Sequence, residues 1–155
     1  MIPVKYEVKD RGPTVRGMRR VINNLTKESW FQTGVQFHAR FTDLRFTHAH
    51  ATQAGYAPRS KSYERQKFKK YGHTYPLEYT GRTRRLVRTA NVASTSKGVD
   101  IRYPGARVFN FRNPKMKANM VVEFTTVLQS EANEMAKFFD DDLDKRLNSY
   151  NGDNS

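Results

Sequence analysis

Cysteine is absent from the 155 residues, which excludes disulfide staples, thiolate metal sites and a cysteine nucleophile. No apolar run approaches the ~18 residues that a membrane-spanning helix needs, and the opening MIPVKYEVKD lacks the apolar centre of a signal peptide. Synthesis and folding in the cytoplasm are therefore expected, with no membrane partner. Gly12, Gly17, Gly34, Gly55 and Gly72 form no phosphate-cradling loop with a following Lys-Ser/Thr. Acidic residues are few, and Glu64, Glu78, Asp100 and Glu123 are too scattered to pair for acid–base work. The four histidines, His38, His48, His50 and His73, have only Asp43 close in sequence, and His48 and His50 would face apart on a helix. These absences predict no enzymatic activity, no cofactor and no metal.

What is present in excess is positive charge: 28 Lys+Arg against 15 Asp+Glu, a net +13. It is unevenly placed. Residues 1–128 carry 25 basic and 8 acidic groups, whereas residues 129–155 carry 3 and 7. A basic body with an acidic C-terminal segment attracts polyanions, and it equally lets identical copies dock basic face to acidic face, the head-to-tail contact from which rings are built.

Hydrophobic residues at 37% suffice for one core, so a single α+β domain is expected over 1–148, followed by a polar tail at 149–155. Val4, Tyr6 and Val8 alternate as a short strand, which Asp10-Arg11-Gly12-Pro13 breaks. Val15, Met18, Val21/Ile22 and Leu25 recur at helical spacing over 13–31, with Arg16, Arg19, Arg20 and Lys27 on the wet side. Gly34 interrupts the pattern. Residues 35–50 fit strand and helix, with helix favoured. Short helices are expected near 60–70 and 80–89, then a hairpin in which Ser96-Lys97-Gly98 joins two strands and Pro104-Gly105 ends the second. The β-branched run from Met120 to Leu128 reads as a buried strand. Ala132, Met135, Phe138/Phe139, Leu143 and Leu147 then give a helix over 130–147 with Ser130 as N-cap. The sum is a small, mainly antiparallel sheet packed by an N-terminal and a C-terminal helix, with a basic, loop-rich insertion.

That insertion, 56–88, holds ten basic residues against Glu64 and Glu78. Tyr56, Tyr63, Phe68, Tyr71, Tyr75 and Tyr79 are interleaved with Arg59, Arg65, Lys67 and their neighbours. Tyr and Arg are enriched at protein interfaces, aromatic rings beside cations also suit stacking on single-stranded nucleic acid, and a solvated loop is the bland reading. Thr80-Gly81 ahead of Arg82, Arg84 and Arg85 suits a capped helix start, or a phosphate site at the same N-terminus. Pro76-Leu77 should anchor the loop on the core.

Tyr56-Ala-Pro-Arg-Ser, Tyr63-Glu-Arg-Gln-Lys, Gly72-His and Pro76-Leu-Glu-Tyr-Thr-Gly-Arg82, followed by a short helix, a hairpin, Glu123-Phe-Thr and a C-terminal helix, resemble the virion morphogenesis proteins of tailed bacteriophages. These are neck or tail-completion subunits, and the likeness spans about residues 20–148 in order and spacing. The resemblance implies a structural virion protein, present as copies of itself in a ring, joining the head connector to the tail beside other neck, connector or tail-tube proteins. It would sit in the virion after assembly in the host cytoplasm. Packaged DNA is a non-specific contact at most, since a ring layer ~30 Å tall faces only about 18 phosphates, far fewer than the charges of several such copies. The alternative is a free, non-specific nucleic-acid-binding protein. The candidate interface or DNA-facing residues are Tyr56, Arg59, Tyr63, Arg65, Lys67, Tyr71, Arg82, Arg84, Arg85 and Arg88 on the basic side. Asp140, Asp141, Asp142 and Asp144 form the acidic side.

Overall fold

The computed structural model describes residues 15–110 and 117–152. The strand expected at 4–8 and the helix start at Pro13 lie outside the described residues. Among the described residues, six α-helices and one antiparallel hairpin make an α+β fold, as the sequence predicts.

Helix α1 runs without a break from Val15 to Phe41, through the glycine that was expected to interrupt it. Gly34 stands at the point where the hairpin lies against the helix. A Cβ there would come within 2.6 Å of Val99 Cγ2 and 2.8 Å of Val92 Cγ1, so the missing side chain is what lets the two elements touch. A 3-10 turn, Asp43–Phe46, leads into α2, His48–Gln53, whose Thr47 side chain accepts a hydrogen bond from the His50 N–H at 3.2 Å. Residues 35–50 are thus mostly helical, the reading that the sequence favoured.

Helix α3, Lys61–Tyr71, and the single turn α4, Arg82–Leu86, fall where two short helices were expected. Strands β1, Asn91–Thr95, and β2, Gly98–Arg102, pair with Val92 opposite Ile101 and Ser94 opposite Val99. Pro104 opens a second 3-10 segment to Asn110, so the strand does end at Pro104-Gly105.

Further expectations need correction. Met120–Thr125 is helix α5, not a strand. Its β-branched residues are outvoted by packing, since helical spacing turns Glu123 and Phe124 inward while Val121 and Val122 stay exposed. Asn119 caps it by accepting from the Val122 N–H at 3.2 Å. Helix α6 begins at Gln129 and reaches Gly152, so Ser130 is inside it rather than at its cap, and residues 149–152 continue the helix rather than a tail. Glu131 supplies the cap by reaching back to the Leu128 N–H at 3.0 Å, while the Ala132 N–H donates to the Leu128 carbonyl.

The apolar core is small: Phe46, Leu77, Val87, Phe109 and Phe124, with Phe109 stacked on Phe124 at 4.7 Å and Tyr103 edge-on to it at 5.1 Å. Beside it lies a buried polar network. The Arg45 guanidinium grips both oxygens of Glu131, at 2.6 and 2.8 Å, and also donates to the carbonyls of Phe41 and Thr126. This ties the corner after α1 to the start of α6. α1 also packs along α6, where Trp30 stacks on Phe139 at 4.2 Å.

Candidate interaction surfaces

The basic insertion is built from its ends inward. Ser60 caps α3 by accepting from the Tyr63 N–H, and Gly72 closes it in the left-handed conformation, so the chain reverses and runs back as 73–81. Leu77 is buried in the core at a φ of 57°, a conformation that a leucine adopts only when its surroundings hold it there. It is the anchor expected of Pro76-Leu77. Gly81, with a φ of 73°, leads into α4, and no side chain caps that helix. The expected Thr80 cap is therefore not made, because the left-handed entry at Gly81 makes the glycine itself the capping residue. A helix of one turn also aligns too few N–H groups for the phosphate site considered at that position.

Three candidate residues are spent inside the chain. Lys67 is 3% exposed and its ammonium donates to the Tyr75 carbonyl, with burial pushing its pKa below the usual lysine range. Arg59 forms a bidentate pair with the buried carboxylate of Glu123, which also accepts from the Ala57 N–H at 3.0 Å. The Tyr56 phenol reaches His50 Nδ1 at 3.0 Å, and burial pushes its pKa up to about 12. The outward-facing role expected of Tyr56, Arg59 and Lys67 does not fit these positions. Tyr56 and Arg59 fasten the insertion to α2 and α5, and Lys67 ties the insertion to itself.

The tyrosines of the insertion mostly face one another. Tyr63 lies over Tyr79 at 6.1 Å, and Tyr71 meets Tyr79 edge-on at 4.7 Å. Burial raises the pKa of Tyr63 as well, with Tyr79 adding to the shift. Arg84 is half-exposed and pairs with Asp43 at 3.0 Å. Facing outward are Arg65, Arg82, Arg85 and Arg88, part of Tyr63, and Phe68, whose ring stands on the wet side of α3 beside Lys69 and Lys70.

On the acidic side Asp140, Asp141 and Asp144 are exposed and have no ion pair among the described residues. Asp142 is turned toward the interior and accepts from Arg146 Nε at 2.6 Å, one helical turn on. The fourth acid of the cluster is therefore an internal brace. Among the described residues, no group of three or more His, Asp and Glu side chains converges as a metal site would require. His50 is buried, with Nε2 3.6 Å from Glu131, and burial together with the Arg45 charge lowers its pKa. His48 instead points away, to Thr74.

The Arg45–Glu131–His50 network was not anticipated, and its partners lie 86 residues apart in the chain. The local sequence carried no signal for it: Leu128, three residues before Glu131, has no side-chain acceptor that would complete a capping box.

A second surface that sequence reading missed is an apolar groove of about 460 Å³. Trp30 and Phe37 of α1 form its floor, Val99 and Ile101 of β2 one wall, and Ala132 and Ala136 of α6 the other. Comparison with protein-family models, with curated proteins and with solved structures found no match.

Proposed function

We propose that this chain is a structural protein of a tailed-bacteriophage particle, forming a ring at the head–tail neck or tail-completion position and joining the head connector to the tail. The observation that carries this reading is the separation of exposed, internally unpaired charge: Asp140, Asp141 and Asp144 on α6 against arginines on other elements. Complementary patches at different places on one chain are what a heterologous, ring-closing contact requires. The resemblance of residues 20–148 to virion morphogenesis proteins gives the ring its place.

The test is incorporation into particles. Asp140→Lys, Asp141→Lys and Asp144→Lys together, leaving the Asp142–Arg146 brace intact, should fold as the parent does. The triple variant should be missing from purified particles, measured by particle composition and by native mass spectrometry of the protein. Single rim ion pairs are worth about 0–1 kcal/mol, so one reversal alone should be tolerated. Entry of the triple variant at the parent's level would sink the reading.

The second reading, a free non-specific nucleic-acid binder, draws on one observation: the exposed Phe68 ring between Arg65, Lys69 and Lys70 on α3. It requires single-strand affinity that falls steeply with salt and drops further in Phe68→Ala.

A further inference from the structure

The face of α1 that packs inside the molecule continues into solvent. At 100° per residue, Val15, Met18, Ile22, Ser29 and Thr33 lie within about 60° of one another. Ser29 and Thr33 are buried, yet Val15 is 87%, Met18 51% and Ile22 50% exposed. The same face is covered at one end of the helix, through Ser29 and Thr33, and bare at the other, where its residues are apolar. Arg19 and Arg16 run down one flank of the bare part, exposed and without an ion pair among the described residues.

The groove has the reciprocal arrangement. Its α6 wall, Ala132 and Ala136, continues along the helix as Leu143 and Leu147, all four within about 60°. Asp140 and Asp144 border that strip one step further round the helix. An apolar channel edged by carboxylates on one chain thus matches an apolar helical stripe edged by arginines on the same chain. Anchors at i, i+3 and i+7 are the spacing with which a helix lies in a groove.

We infer that the groove is occupied by a second copy of this chain, with the Val15–Met18–Ile22 stripe of one molecule seated between β2 and α6 of the next and Arg16 and Arg19 meeting Asp140 and Asp144. The inference rests on the ring reading and assigns its contact: α1, rather than the arginines of 82–88, faces the acidic helix. Stripe and groove are different surfaces, so each molecule offers one and receives the other, and the contact repeats head to tail.

The test uses the full chain, with sedimentation velocity over a concentration series. Met18→Glu with Ile22→Glu removes the stripe, and Ala136→Trp fills the groove. All three positions are exposed, and unchanged thermal unfolding of each variant shows that the fold is kept. Each variant should self-associate at least about thirtyfold more weakly than the parent. Mixed together they should give one-to-one dimers and nothing larger, because one intact stripe and one intact groove remain. The absence of native cysteine allows a second readout. Ile22→Cys with Ala136→Cys should give a ladder of multimers on oxidation, whereas either single variant should stop at dimers.

Self-association of both blocked variants at the parent's level, in a parent that assembles, overturns this contact and leaves the ring reading standing. A parent that stays monomeric at every concentration and is absent from particles overturns both. Equal binding of a hydrophobic dye by the assembled parent and by the Met18→Glu/Ile22→Glu monomer would make the groove a small-molecule pocket and overturn the docking.

Discussion

The corner formed by residues 41–50, α5 and the start of α6 differs in kind from the outer halves of α1 and α6. At the corner, Phe46, Phe124, Arg45, His50 and Glu131 are all buried, and the charges of Arg45 and Glu131 are paired with each other. Along the outer halves, Met18 and Ile22 are half-exposed, Leu143 and Leu147 are only partly buried, and Asp140 and Asp144 beside the two leucines point into solvent. The corner spends its residues on holding the fold. The outer helices keep apolar and charged groups that one chain cannot satisfy, which is the character of a surface awaiting another molecule.

Substitutions should separate the two regions. The largest effect is expected from Arg45→Met, which strands the buried Glu131 carboxylate and should cost about 3–5 kcal/mol in urea unfolding. The corresponding change in the outer region, Arg146→Met, removes a partly exposed i,i+4 pair and should cost about 0.5 kcal/mol or less. Equal losses at both sites would erase the distinction. Truncation of the core ring in Phe46→Ala should also cost about 3–5 kcal/mol, against about 1–2 kcal/mol for Leu143→Ala on the partly buried strip.

Gly34→Ala sharpens the comparison through its sign. In an exposed helix interior that change stabilises by up to ~1 kcal/mol, but here the new methyl meets Val99 and Val92 and should destabilise by about 1–3 kcal/mol. A melting temperature at or above the parent's would show that the hairpin yields without cost.

The smallest effect is in pH. Burial and the Arg45 charge hold the His50 pKa below 6.5, so between pH 7.5 and 5.5 the unfolded chain takes up a proton that the folded chain resists. Stability from neutral, buried His50 is complete above about pH 6.5 and is lost as pH falls below it. The melting temperature should decline over that interval, and the decline should flatten in His50→Gln. An unchanged slope would assign it to other groups.

How much of this was legible follows from the range of each interaction. The hairpin could be read because alternation and the Gly98 turn act within twelve residues, and Ser60, Gly72 and Pro76-Leu77 mark their turns locally. α5 was misread because Val121, Val122 and Val127 advertise a strand, while the inward turn of Glu123 depends on Arg59, 64 residues away. For the same reason Lys67, Arg59 and Tyr56 looked like surface groups: composition shows a basic stretch but not which of its charges the core recruits. The groove was invisible, being assembled from residues of α1, β2, α5 and α6 that are far apart in the chain, none of which is unusual by itself.

The Arg45–Glu131 bond also sets an order of events during synthesis. The ribosome releases α1 and the 41–50 corner long before Glu131 exists, so Arg45 has no carboxylate to receive it and the Trp30 face of α1 has no Phe139 to cover it until α6 emerges. Closure of the corner must therefore come late and close over a long loop, which favours slow, concerted folding over growth from the N-terminus. A nascent chain stalled before residue 129 would expose an apolar helix able to bind a chaperone or the α6 of a finished neighbour.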